Sequence, residues 1–157
     1  MILEPIGLIH TPYTQLKQMP IQAKGAADTI ATLEIDALYQ EGLKDLEGFS
    51  HIYIFYHFHK ATRIELEVTP FMDTKKRGVF ATRSPLRPSH MGMSITQIIS
   101  VCDNIVTIQG IDVLDGTPLI DIKPYIPQFD SVGRVKTGWM DKDESKVIDQ
   151  TSDGRFV

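Results

Sequence analysis

Two arginines four residues apart, Arg83 and Arg87, stand in the run Val79-Phe80-Ala81-Thr82-Arg83-Ser84-Pro85-Leu86-Arg87-Pro88. Pro85 and Pro88 restrict the backbone that carries them, and rigidly held guanidinium groups suit bidentate capture of a carboxylate or a phosphate. The plainer alternative is a pair of surface arginines in a proline-rich turn. A second polar concentration runs from Asp112 to Pro127, where Asp112, Asp115, Asp121, Lys123 and Tyr125 surround a Gly116-Thr117-Pro118 turn. Charge that dense beside apolar strand residues is costly to bury unless it is paired or used. Asp121 and Lys123 fall on one strand face and can simply pair with each other. A third feature is His57-Phe58-His59, two imidazoles on one strand face with Glu65 a few residues on, which is how cupin-type barrels present metal ligands. Only His90 follows downstream as a further histidine. The simpler reading of His51 to Tyr56 is a core strand whose aromatics fill a barrel or wall a cofactor.

The elements that must position these groups are mostly strands. Period-two alternation predicts strands at Ile6 to His10, Ile30 to Asp36, His51 to His57, Ser94 to Cys102 and Ile105 to Gln109, with shorter ones near Leu119 to Ile122 and Val132 to Thr137. Asp103-Asn104 reads as a hairpin turn. One helix is signalled from Ala37, with Leu38, Tyr39, Leu43 and Leu46 on one face and Gly48 at its end. Met19 to Asp28 and Thr69 to Lys76 read as loops. Close-spaced strands with one helix define a mainly β fold, a small barrel. Residues 1–140 are expected to form this domain, and 141–157 a polar, acidic tail that is mobile or in contact with a partner subunit.

No GxGxxG, no phosphate loop ending in Gly-Lys-Ser or Gly-Lys-Thr and no His-Glu-x-x-His occurs, so the doubly wound nucleotide-binding folds are excluded. The 157 residues, 42% of them hydrophobic, suffice for one core. The single cysteine, Cys102, leaves no internal disulfide and points to a reducing, cytoplasmic setting. No signal peptide and no apolar run of about 20 residues is present, so no membrane association is expected. A net charge of −4 opposes nucleic-acid binding by overall electrostatics. Between Thr74 and Cys102, however, there is no acid, while Lys75, Lys76, Arg77, Arg83 and Arg87 all fall there. That stretch is either a solvated basic loop or a local surface for phosphates.

Four blocks in order resemble the TrmO or TsaA-like tRNA adenine-N6 methyltransferases: Ile6 to Tyr13; Gly42 to His51 running into Phe58-His59; Gly78 to Pro88 with Gly92-Met93-Ser94; and Asp112 to Pro127. The resemblance spans nearly the whole chain. It implies a six- or seven-stranded barrel unlike the common methyltransferase folds, and a homodimer with S-adenosylmethionine near the interface. The implied substrate is N6-threonylcarbamoyladenosine beside the anticodon of a tRNA. Position by position, the cofactor contacts it implies are Gln22, Ala23, Lys24, His59, Lys60, Arg83, Met93, Asp115, Gly116, Thr117 and Pro118. Arg83 is then the partner of the cofactor carboxylate. Lys75, Lys76, Arg77 and Arg87 are left to hold RNA phosphates in the anticodon loop. The carbamoylated nitrogen is urea-like and weakly nucleophilic, so a nearby base is useful, and Asp115 or Tyr125 is the candidate. The chain departs from the family at Arg87-Pro88-Ser89-His90-Met91-Gly92, where members commonly read Arg-Pro-Asn-Pro-Ile-Gly. The C-terminal domain of longer bacterial members is not expected from these residues. Two other readings stand beside this one: a barrel that binds S-adenosylmethionine without methyl transfer, and a cupin-like metalloenzyme.

Overall fold

The computed structural model describes residues 2–15, 19 and 26–140. Eight strands form: β1 (Gly7–His10), β2 (Ile30–Ile35), β3 (His51–His57), β4 (Glu67–Val68), β5 (Arg77–Gly78), β6 (Met91–Cys102), β7 (Ile105–Gln109) and β8 (Thr117–Pro124). Six of them close into an antiparallel barrel in the order β1-β2-β7-β6-β3-β8, while β4 and β5 pair separately. Alternation builds this barrel. Along β3 the buried positions are Ile52, Ile54 and Tyr56, and along β2 they are Ala31, Leu33 and Ile35. Ile9, Leu33, Ile52, Ile54, Val106, Ile108 and Leu119 are wholly buried at the centre. Each such side chain stabilises the fold by roughly 1.5–3 kcal/mol through removal from water.

Antiparallel pairing puts the ends of β1, β3 and β7 and the starts of β2, β6 and β8 on one rim of the barrel. Ile111 and Val113, from the segment between β7 and β8, join the core there. At the opposite rim Leu43 and Leu46 pack against the core from one side. Between β3 and β6 the chain leaves the barrel for residues 60–90, and Phe58 N–H donating to His90 O at 2.8 Å closes the neck of this excursion. The excursion has its own small core of Val68, Val79 and Leu86.

The hairpin turn expected at Asp103-Asn104 joins β6 to β7, with Asp103 at φ 53°. Two expectations are corrected. The segment from Ala37 is not an α-helix but two 3₁₀ turns, Ala37–Leu43 and Leu46–Gly48, broken where Asp45 takes φ 65°. Leu38 is 82% exposed, so the apolar face read from Leu38 and Tyr39 does not meet the core, whereas that of Leu43 and Leu46 does. Val132 to Thr137 pairs with no strand, and every residue in it is exposed. The first regular turn there is instead a four-residue α-helix, α1 (Pro127–Asp130), started by Pro127. The tail from 141 lies outside the described residues.

Candidate functional site

The turn before β8 is built by backbone conformation. Gly116 has φ 72°, a left-handed value that costs glycine nothing. Asp115 N–H donates to Tyr13 O at 2.8 Å and Gly116 N–H to Ile9 O at 2.9 Å, so the turn is sewn to the end of β1. The Asp115 carboxylate adds to this through Oδ1, which accepts from Thr11 N–H at 3.1 Å. His10 Nδ1 lies 3.5 Å from the same oxygen, and His10 Nε2 lies 2.9 Å from Glu34 Oε2. One carboxylate oxygen of Asp115 is therefore committed to the protein, and Oδ2 is left for a ligand.

The excursion brings the arginine run to the same rim. Arg83 is exposed and acts electrostatically on both Asp112 and Tyr56, which belong to the second motif and to β3. Tyr56 is inside the barrel, its hydroxyl sharing a 3.1 Å hydrogen bond with that of Ser94 on β6. Burial pushes the Tyr56 phenol well above its ordinary range, and Asp112 pushes it further. Burial likewise pushes the Asp112 carboxyl up to about 6, against the opposing effects of its own backbone N–H and of Arg83. Arg83 thus lies within electrostatic reach of Asp112 and Tyr56, although 29 residues separate Arg83 from Asp112 in the chain.

His59 and Lys60 form the turn that follows β3, closed by Ala61 N–H donating to Phe58 O at 2.9 Å. Burial, then Lys60 and His57, holds the His59 imidazole below its ordinary value. Met93 is on the outer face of β6 opposite Phe55, 46% exposed. Thr117 is buried and its hydroxyl donates to Leu114 O at 2.6 Å, while Pro118 is partly exposed at the start of β8. Gln22, Ala23 and Lys24 lie outside the described residues.

Asp115 and Tyr125 are not brought together. They flank the eight residues of β8, a span of roughly 25 Å. Tyr125 is at the other rim, edge-on to Tyr53 at 5.6 Å, with its N–H donating to His51 O at 3.0 Å. The five cations between Lys75 and Arg87 also divide. Lys75 and Lys76 are exposed. Arg77 is paired with Asp73 at 2.8 Å and lies over the Trp139 ring. Arg87 donates to Thr82 O at 2.6 Å and Ser84 O at 3.1 Å, so its guanidinium braces the Arg83 loop. Asp121 and Lys123 stand 3.9 Å apart on an exposed face, as their spacing allowed.

The departure at Ser89-His90 has a backbone counterpart. His90 takes φ 48°, and its Nδ1 lies 2.7 Å from Pro85 O. Proline is locked near φ −65°, so the family's Pro could not adopt this conformation. β3 ends at His57, which meets His90 edge-on at 6.0 Å, and His59 is already in the turn. The two imidazoles do not share a strand face, and among the described residues no three His, Cys, Asp or Glu side chains gather to hold a metal. A cleft of about 560 Å³ lies at the opposite rim between Leu38, Tyr39, Leu43, Leu46 and Phe49, and no residue expected at the site lines it.

The fold is a closed six-stranded barrel, not a doubly wound sheet, with the Asp115 turn on one rim. Residues 8–131 match the family model of the tRNA-methyltransferase O N-terminal domain, and the chain belongs to that family. A probable S-adenosyl-L-methionine-binding protein of Pyrococcus abyssi is 48% identical over 152 residues, covering 97% of this chain and 83% of its own length. The tRNA (adenine(37)-N6)-methyltransferase of Mus musculus is 34% identical over 138 residues, covering 83% of this chain but 32% of that protein. The crystal structure of TrmO from Pseudomonas aeruginosa superposes with a TM-score of 0.75 at 33% identity. That match covers 90% of this chain and 63% of that one.

Sequence reasoning assigned Asp112 no role beyond membership of a carboxylate-rich stretch, and it assigned none to His10. The signal for Asp112 was its place between Ile111 and Val113, both of which are buried. No local signal marks His10, because Glu34 and Asp115 reach it from distant parts of the chain.

Proposed function

We propose that this chain binds S-adenosylmethionine at the Asp115 rim and methylates N6 of an adenosine in a tRNA anticodon loop, with threonylcarbamoyladenosine as the substrate. The observation that carries the reading is the Asp115 turn, sewn to β1 through Tyr13 O and Ile9 O with Oδ1 of Asp115 anchored by Thr11 N–H, on the rim where the excursion bearing Arg83 leaves the barrel. The residues present fit the cofactor. Arg83, which makes no side-chain hydrogen bond among the described residues, would take its carboxylate. Asp115 Oδ2 and the Gly116 to Pro118 turn would take its nucleoside, and Met93, His59 and Lys60 would border it. The bound cofactor supplies an activated methyl group on sulfur. The chain's own work is to align the adenosine nitrogen with that methyl and to accept the N6 proton as the new N–C bond forms. Asp115 is the proposed acceptor, and Asp112, poised near 6, is a second carboxylate at the same rim. Tyr125, a strand length away, has no part in the step. Lys75 and Lys76 would hold RNA phosphates, Arg87 serving by bracing the loop.

We further propose a homodimer through the outer face of β3 and β6, where Met93, Ile95 and Ile99 are each nearly half exposed beside Tyr53 and Phe55. Exposed apolar side chains on one sheet face, interrupted only by Gln97, favour a protein contact. Sedimentation of the purified chain as a monomer at micromolar concentration would remove this part.

Calorimetry should show S-adenosylmethionine binding in the micromolar range, on the order of −8 kcal/mol. Incubation with tRNA should yield N6-methylated threonylcarbamoyladenosine on mass spectrometry of the nucleoside digest. No heat with the cofactor sinks the reading. Heat without a methylated nucleoside supports the second reading, a binding protein, which the name of the Pyrococcus relative favours.

A further inference from the structure

We propose that Phe80 is the platform on which an unpaired base of the substrate RNA stacks, with the lysines of the same excursion holding the adjoining phosphates. This rests on the tRNA reading above and names a residue that selects the RNA.

Phe80 is the middle residue of the Val79–Ala81 turn and is 78% exposed. A phenyl ring so placed would ordinarily turn inward, yet its mount is fixed on both sides. Val79 is buried in the small core of the excursion. Thr82 donates to Val79 O through N–H at 3.1 Å and through Oγ1 at 2.8 Å. Ala81 O accepts from Trp139 Nε1–H at 2.7 Å, and Thr82 O accepts from Arg87. The ring is therefore held outward by a rigid turn.

Its surroundings carry the opposite charge to the rest of the chain. Residues 60–90 hold seven Lys and Arg against three acids, whereas the whole chain has a net charge of −4. Two of those acids are already paired, Asp73 with Arg77 and Glu65 with Arg63. Lys75 and Lys76 are exposed in the same excursion. An outward aromatic set among cations is the chemistry of single-stranded nucleic acid, whose bases offer a π-face and whose phosphates need positive charge. A duplex keeps its bases stacked and offers no such face. A second copy of this chain is disfavoured here because a two-fold contact would set the basic surface against itself. The outer face of β3 and β6 carries no such penalty.

The test uses the full chain with the Phe80→Ala, Phe80→Trp and Phe80→Leu variants, an end-labelled anticodon stem-loop RNA, calorimetry with S-adenosylmethionine, and sedimentation. Phe80→Ala should weaken RNA binding by about 10- to 100-fold, the range for losing one stacked base. Phe80→Trp should restore it and Phe80→Leu should not, while cofactor affinity and oligomeric state match the wild type. Unchanged RNA affinity in Phe80→Ala overturns the proposal. So does restoration by Phe80→Leu, which would mean apolar packing without stacking. A change of oligomeric state in Phe80→Ala overturns it as well, since the ring would then be covered by a second copy. Failure of the wild-type chain to bind this RNA or the cofactor removes the tRNA reading itself, and is seen before any variant is compared.

Discussion

The Tyr56 ring lies against Gly92, its partner across β3 and β6, so closely that a methyl group added at Gly92 would overlap ring carbons Cε2 and Cζ. The absence of a side chain at position 92 is what lets the Tyr56 hydroxyl reach Ser94 inside the barrel. Gly92→Ala must push the ring off that bond or bend β6. We expect a loss of roughly 1–3 kcal/mol, the usual scale for overpacking, measured by urea denaturation. Stability unchanged within a few tenths of a kcal/mol would show that the ring moves freely.

Asp112 ties stability to pH. Its carboxyl in the native chain keeps its proton up to about pH 6, whereas an ordinary aspartate releases it near 3.8. Between these values the native state binds more protons than the unfolded one, so stability falls as pH rises through this window. The full cost above pH 6 is on the order of 3 kcal/mol. Asp112→Asn should therefore melt higher than wild type at pH 7, by roughly 5–10 °C, with the gap closing toward pH 4. Parallel melting profiles for the two proteins from pH 4 to 7 would count against a buried carboxyl here.

Asp73 runs the other way. Its hydrogen bond with Arg77, chiefly, holds the carboxyl down at about 2, below the ordinary 3.8. The stabilisation is present above pH 4 and is lost as pH falls through about 2. Asp73→Asn should be less stable than wild type at neutral pH and indistinguishable from it near pH 2. Trp139, the single tryptophan, lies beneath Arg77, so its fluorescence reports on the same contact.

Arg83→Ala should weaken S-adenosylmethionine binding by more than tenfold, because a charge-assisted pair with the cofactor carboxylate is lost. Arg87→Ala should weaken it less and should lower thermal stability more, since that guanidinium holds two backbone carbonyls. Equal effects of the two substitutions on cofactor affinity would dissolve the distinction between ligand and brace.

His10→Ala removes the side chain that bridges Glu34 and Asp115. With Thr11 N–H alone left on Asp115 Oδ1, the KM for S-adenosylmethionine should rise several-fold while kcat changes little. A loss confined to kcat would place Asp115 in the chemistry without dependence on its anchor.

The barrel was legible in the chain because its strands alternate cleanly: β3 was bounded to the residue, and β1, β2 and β7 within one. What failed has local causes. β4 and β5 are two residues each, too short for any period to register. The 3₁₀ turns after Ala37 mimic helical spacing, but Asp45 breaks the backbone before a face can form. Val132, Val135 and Thr137 are β-branched, the residue type of strands, but the closed barrel offers no free edge to pair with. For the site, residue type singled out Arg83 and the Asp115 turn as candidates. Spacing could not tell that Arg87 and Arg77 are engaged within the fold, since their contacts with Thr82 O, Ser84 O and Asp73 depend on how the loop folds back on itself.

The 2.8 Å bond from Phe58 to His90 brings the two feet of the 60–90 excursion together on neighbouring strands. Such a segment behaves as a cartridge in a fixed socket. Its length and composition can drift without altering barrel closure, and the turn at Asp115 belongs to another part of the wall. On the proposed reading, changes that spare Lys60 and Arg83 can in this way retune which RNA is admitted while the groups that take the methyl donor stay as they were.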